Sequence, residues 1–284
     1  MTPQSPNRAR VPRRGSSFYY SLLTLTMEQR EALTTLYGFL REIVDIGEAR
    51  PDTPGIQAKL EWWREEVERL FARRAQHPST RALSPLVDAF GLQAGDFREI
   101  IEAVVTAQHV RIMPSFPVLA QYCQGLGSAP LRLGATLVGR DRGRDRGFTD
   151  AMGLFLQLLR ILRRVRQDVS RGRIFLPQDE MQRFGVAPED LFQGRTNETT
   201  RALFRWQAER LRTFQGQAFA ALPAADRYRQ RQAIALAEMA SAVLDEIEAD
   251  GFRLTKQHIT LTPLRKLWIT GRVMRRERRY QRRH

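Results

Sequence analysis

The chain is poor in the residues from which many sites are built. Of 284 residues, one is cysteine, Cys123. That excludes an internal disulfide and any cysteine-built zinc centre, and fits a reducing compartment. The four histidines, His77, His109, His258 and His284, are scattered without an HExxH or paired spacing, so a zinc site of the protein-only type is not expected. No stretch approaches the roughly 20 apolar residues of a membrane span. Lysine is nearly absent: Lys59, Lys256 and Lys266 are the whole set, and arginine supplies the rest of the basic charge. Residues 1–16 lack an apolar core, so they read as a flexible basic arm and not as a secretory signal.

What the chain has is apolar content, 42%, and a net charge of +15. The charge is concentrated at the ends. Residues 265–284 hold nine Lys or Arg against one Glu, and residues 1–16 hold four Arg and no acid, which leaves a body of only +3. Basic ends of this kind suit an anionic membrane surface or nonspecific nucleic-acid contact, or serve as a solvated, solubilising tail. Tyr280 is the only aromatic among the last arginines, so the stacking that nucleic-acid binding draws on is thin, and nucleic acid is not the expected partner. Leu264, Leu267, Trp268 and Ile269 beside Arg272, Arg275 and Arg276 point to peripheral membrane contact through the C-terminal segment, or to packing of that segment on the body.

The periodic segments are helical. Thr26 followed by Gln29 forms a capping box, and Leu33, Leu36, Tyr37, Leu40 and Val44 recur at helical spacing up to about Arg50. Further helices are expected over 55–74, with Leu60, Trp63, Val67 and Leu70 on one face, over 79–90, and from Asp96 as cap to about His109. A short one follows over 118–126. Residues 150–167 are apolar on nearly all sides and so belong at the centre of the fold. A short helix over 179–184 and two long ones over 199–222 and 227–250 complete the reading. The fold class is all-α. The expected division is a flexible arm over 1–16, one helical domain over 17–270 and a basic tail over 271–284.

Several stretches, in order, are similar to the squalene/phytoene synthase family, nearest its bacterial presqualene diphosphate synthase branch. They are Gly15 to Tyr20, Leu36-Tyr37-Gly38-Phe39-Leu40-Arg41-Glu42, Lys59-Leu60-Glu61-Trp62-Trp63-Arg64, and Gly172-Arg173-Ile174-Phe175-Leu176-Pro177. Asp179-Glu180, Phe184-Gly185-Val186 and Leu264-Arg265-Lys266-Leu267-Trp268-Ile269 complete the set. The resemblance implies an isoprenoid synthase-type helical bundle around a central cavity. It also implies head-to-head joining of two prenyl diphosphates on magnesium held by two DxxxD motifs. Spacing i, i+4 puts both carboxylates on one helix face, where they bind the ion with phosphate oxygens.

Both motifs are degraded here. The first maps onto Val44 and Glu48, with Asp45 acidic but rotated about 100° around the helix. The second maps onto Arg164 and Asp168, and Arg160 stands where the family has Asn. Like charges about 4 Å apart repel by about 4 kcal/mol at an effective dielectric of 20, so an arginine in place of a ligand opposes a metal ion. The family's further aspartate aligns with Ala107, a polar cavity position with Gln124, and a cavity tyrosine with Ala240. The small-residue turn reads Gly127-Ser128-Ala129-Pro130.

The expected function is therefore that of a non-catalytic family member that binds an isoprenoid or diphosphate, or acts as an assembly or accessory protein. A mitochondrial complex I assembly factor in the family's wider circle is a precedent. The alternative is an active prenyltransferase that condenses two farnesyl diphosphates to presqualene diphosphate or squalene, with Glu48 and Asp168 on Mg2+. No cofactor is expected otherwise. Arg41, Arg160, Arg163 and Arg164, with Gln157, are the candidates for holding a diphosphate without metal. The other outcome for the same residues is an internal ion network with Glu48, Asp45 and Asp168. The expected location is cytoplasmic, at the inner membrane surface if the C-terminal segment makes contact.

Overall fold

A computed structural model of the chain describes residues 11–49, 53–139, 146–255 and 259–282. These residues form α-helices joined by turns, and their one β-type pairing is an isolated parallel bridge between Ile112 and Ile174. The expected arm lies largely outside the described residues, as does His258.

Local chemistry starts the helices. Ser16 Oγ accepts from the Tyr19 N–H and opens α1 (Ser17–Leu22). Thr26 and Gln29 close the expected capping box, each side chain accepting from the other's backbone N–H at 3.3 and 3.4 Å, and open α2 (Met27–Gly47). Then come α3 (Ile56–Phe71), α4 (Pro78–Phe90), α5 (Ala94–His109) and α6 (Phe116–Cys123). A π-helical segment, Gln124–Ser128, runs directly into α7 (Ala129–Gly139). The long α8 (Arg146–Ser170) follows, then short α9 (Gln178–Arg183) and α10 (Pro188–Phe192). The chain ends with α11 (Glu198–Ala221), α12 (Arg231–Ala249) and α13 (Pro263–Gln281).

Three local expectations change. Asp96 does not cap α5: Gln93 holds that position, and Asp96 accepts from Arg132 Nε at 2.6 Å, a tertiary ion pair that outcompetes the local cap. The Gly127 to Pro130 segment is not a turn but continuous helix. Its reason is packing: a Cβ on Gly127 would sit 2.3 Å from the Gly153 carbonyl oxygen, and one on Gly153 would sit 2.3 Å from Ser128 Cα. Only paired glycines let the π segment lie this close to α8. Residues 271–281 continue α13 as helix, with Val273 and Glu277 fully buried.

Two apolar cores flank the site. One gathers α8, α11 and α12 around Met152, Phe155, Phe204 and Ile234. The other gathers α2, α3, α4, α5 and α7 around Phe39, Leu60, Phe97 and Leu133. The face of α3 read from sequence, Leu60, Trp63, Val67 and Leu70, is wholly buried. α8 is central, as its all-round apolar pattern requires. On α2 the stripe behaves differently. Phe39 and Ile43 are wholly enclosed in the core; Leu33 and Leu36, buried in the same core, also line a cavity, together with the less buried Tyr37, Leu40 and Val44.

Candidate active site and family

Two cavities meet between α2 and α8. The larger, about 320 Å3, is mostly apolar, walled by the α2 stripe, by Leu126, Pro130 and Leu131 of the π–α7 stretch, by Leu156 of α8 and by Leu236 of α12. The smaller, about 30 Å3, combines a polar wall of Glu48, Arg160, Arg164, Asp168, Arg171 and Arg173 with apolar lining from Val104, Ala107, Ile161, Tyr122 and Phe175. Val44, Leu126 and Arg160 border both.

Glu48 caps the C-terminal end of α2 and is the hub of the polar cavity. Arg160 Nη2 donates to its carboxylate at 2.6 Å, Arg164 Nη1 lies at 3.1 Å and Arg171 Nη1 at 3.7 Å. Burial opposes ionisation of Glu48, but Arg164, Arg160 and Arg41 outweigh it and hold the carboxyl below the usual range. At Asp168 the balance tips the other way: burial pushes its carboxyl up despite Arg164, Arg160 and Arg171, and the charge of Glu48 adds to the rise. Four arginines face two carboxylates here, a surplus of two positive charges even with both acids ionised.

Arg171 and Arg173 were not legible as site residues. Gly172, at φ +77°, turns the chain back after α8 and brings both onto the site. Arg173 is buried and donates to the carbonyls of Gly47 (2.6 Å) and Ala49 (2.9 Å) and to Gln108 Oε1 (2.9 Å). It thus satisfies the orphan carbonyls at the end of α2 and sets a positive charge against the negative end of the helix dipole. The Gly172–Pro177 text therefore fixes where Glu48 stands. Tyr122 stacks on Phe175 with centroids 5.1 Å apart, and burial pushes its phenol up to about 12.

The remaining sequence candidates divide. Arg41 pairs with Asp45 one turn along α2 and borders the apolar cavity, so Asp45 faces Arg41 and does not line the polar cavity. Gln157 is buried on the wall of the apolar cavity, and its Nε2 has no hydrogen-bond partner. Arg163 is a correction: one residue before Arg164 it is rotated about 100° around α8 from that side chain, and there it donates to the Ile259 carbonyl at 2.7 Å and lines neither cavity. Gln124 is a second: in the π segment it is exposed and lines neither cavity. Ala107 does border the polar cavity, and Ala240 is half-buried against the α8–α12 core.

The donor set does not fit a divalent metal. Among the described residues no cluster of three His, Cys, Asp or Glu side chains could hold an ion. Glu48 already receives two arginines at ion-pair distance and a third near it, and Val44 offers no ligand.

Residues 11–266 match the squalene/phytoene synthase family, and the chain belongs to it. A chloroplastic phytoene synthase of Narcissus pseudonarcissus is 30% identical over 260 residues, which cover 88% of this chain and 61% of that protein. A presqualene diphosphate synthase of Sinorhizobium fredii is 29% identical over 178 residues, 62% of this chain and 63% of the relative. The chain thus spans about 60% of the length of several plant phytoene synthases it matches. A crystal structure of a dehydrosqualene synthase in complex with ligand superposes with TM-score 0.83 at 21% identity, over 93% of this chain and 92% of that one. A squalene synthase from Alicyclobacillus acidocaldarius gives 0.75 at 22% identity, over 83% and 89%. The isoprenoid synthase-type helical fold expected from the motifs is the fold of these neighbours.

Proposed function

We propose that this family member binds an isoprenoid diphosphate on arginines, without metal, and does not run the head-to-head condensation. The observation that carries the reading is the position of Arg160, which borders a polar cavity of net positive charge on one side and an apolar cavity of about 320 Å3 on the other. An amphiphile with an anionic head and a prenyl tail matches that pairing. Guanidinium groups bind phosphate oxygens through paired, charge-assisted hydrogen bonds and require no bridging cation. In the unliganded protein Glu48 takes the place of the anion. The unpartnered Nε2 of Gln157 supplies a further donor on the route from head to tail.

The same site suits an accessory role in which the bound lipid, or the fold itself, is presented to a partner protein. A peripheral place at a membrane surface agrees with a lipidic ligand. No helix among the described residues is long and apolar enough to cross a membrane.

Calorimetry with farnesyl diphosphate in EDTA tests the binding reading. Saturable heat is expected, with affinity lowered about tenfold or more by Arg160→Gln through loss of a charge-assisted contact. No heat at millimolar ligand would overturn it. A parallel incubation with farnesyl diphosphate and magnesium is expected to give no C30 product; formation of presqualene diphosphate or squalene would establish the active enzyme instead.

A further inference from the structure

We infer that the outward face of α13 is a docking surface for an anionic lipid membrane. The helix is two-sided. Its inner side, Lys266, Ile269, Thr270, Val273 and Glu277, is buried on the body. Lys266 donates to the Gly15 carbonyl at 2.7 Å, and Arg227 grips the buried Glu277 carboxylate at 3.1 Å. The helix is therefore fixed in place, and its rotation decides what faces outward.

The outward side carries two patches in line. In the first two turns Leu264, Leu267 and Trp268 are 80%, 50% and 57% exposed. In the last two turns Arg275, Arg278, Arg279 and Arg282 are exposed, and none of the four has a carboxylate partner among the described residues. Helical spacing puts both patches on one side: at 100° per residue, Leu264, Trp268, Arg275, Arg278, Arg279 and Arg282 fall within about 60° of one line along the helix. The basic residues that do have partners lie off this line. Arg265 pairs with Glu246, and Arg272 and Arg276 both pair with Glu238. Ile269, apolar in sequence, points inward and contributes nothing to the face.

Exposed leucines and a tryptophan beside unpaired arginines are the makings of an interfacial helix. The apolar groups enter the headgroup boundary and the guanidiniums meet anionic headgroups. Charge decides among occupants. A second copy would bring four arginines against four, and like charges repel. Nucleic acid could meet the arginines but would leave Leu264 and Leu267 uncovered, and base stacking finds little here, since Arg272 covers the Trp268 ring at 4.7 Å and Tyr280 is half-buried.

The test is co-sedimentation of the full chain with vesicles of phosphatidylcholine alone or with about one-third phosphatidylglycerol, at low and high salt, with no prenyl diphosphate present. Binding is expected to the anionic vesicles only, weakening with salt. Replacing Arg275, Arg278, Arg279 and Arg282 with Gln is expected to weaken it by about 600-fold, at roughly fivefold per charge. Leu264→Ser with Leu267→Ser and Trp268→Ser is expected to abolish stable binding at moderate salt. Replacing the four arginines with Lys keeps charge and fold and is expected to keep binding. Three results would overturn the inference. These are equal binding to neutral vesicles, undiminished binding of the apolar triple variant, and displacement from anionic vesicles by RNA or an acidic peptide at equal charge concentration. Because no prenyl diphosphate is present, the outcome is independent of the ligand-binding reading.

Discussion

Arg160 and Glu48 are 112 residues apart in the chain and 2.6 Å apart in space, joining the middle of α8 to the end of α2. In the family's pattern two carboxylate-bearing faces would oppose each other here across magnesium. In this chain a carboxylate from one helix meets guanidiniums from the other, and the helices are bridged directly. The junction between α2 and α8 is thus charge-bridged, and the cavity beside it is lined by four arginines and two carboxylates.

Glu48→Gln leaves Arg160, Arg164 and Arg171 facing one another without their anion. Stability in denaturant titration is expected to fall by about 1–3 kcal/mol, the usual cost of leaving a hydrogen-bonding group unmet, since these guanidiniums are partly exposed to water. Added inorganic diphosphate is expected to restore much of that loss by taking the place of the carboxylate, and more strongly than in the parent chain.

Rebuilding the motifs should rebuild a cation site. Val44→Asp together with Arg164→Asp would place two new carboxylates beside Glu48 and Asp168. Magnesium is expected to raise the unfolding temperature of this double variant by several degrees, since a ligand at about 100 times its Kd stabilises by about 2.7 kcal/mol. The parent chain is expected to show no magnesium-dependent shift.

Glu48 and Asp168 predict opposite contributions to pH dependence. The folded pKa of Glu48 is depressed, so its stabilisation is present above the ordinary carboxylate range and is lost as pH falls through its folded value. The folded pKa of Asp168 is raised, so its ionised form costs stability at neutral pH, and that cost is relieved as pH falls through its raised value. Asp168→Asn is therefore expected to raise the unfolding midpoint at neutral pH and to change it little once pH is below the ordinary aspartate value of about 3.9. Glu48→Gln is expected to lower it at neutral pH and little in acid. Denaturant midpoints across a pH series check both.

Gly127→Ala would force a methyl group to within 2.3 Å of the Gly153 carbonyl oxygen, a backbone atom that cannot swing away. A loss of about 3 kcal/mol or more is expected in chemical denaturation, at or beyond the upper end of ordinary overpacking. Gly38→Ala in α2, where nothing lies within 4 Å of the added carbon, is the control and is expected to gain up to about 1 kcal/mol from helix propensity.

The sequence by itself determined the class of fold and the place of the site. Helical spacing, the Thr26–Gln29 box and the all-round apolar α8 are local patterns, read from neighbours three and four residues apart. The ordered motifs, through the family resemblance they carry, grouped Val44, Glu48, Arg164 and Asp168, and all four line one cavity. Tertiary structure alone decided which side chains meet. It turned Arg163 away to Ile259, drew Arg171 and Arg173 in through the left-handed turn at Gly172, and assigned the α2 stripe to a cavity wall. It also separated the paired arginines of α13 from the unpaired ones. The physical reason is common to all of these: periodicity fixes a residue's angle around its own helix, but which neighbour stands at that angle depends on how helices distant in sequence pack, through contacts such as Gly127 on Gly153.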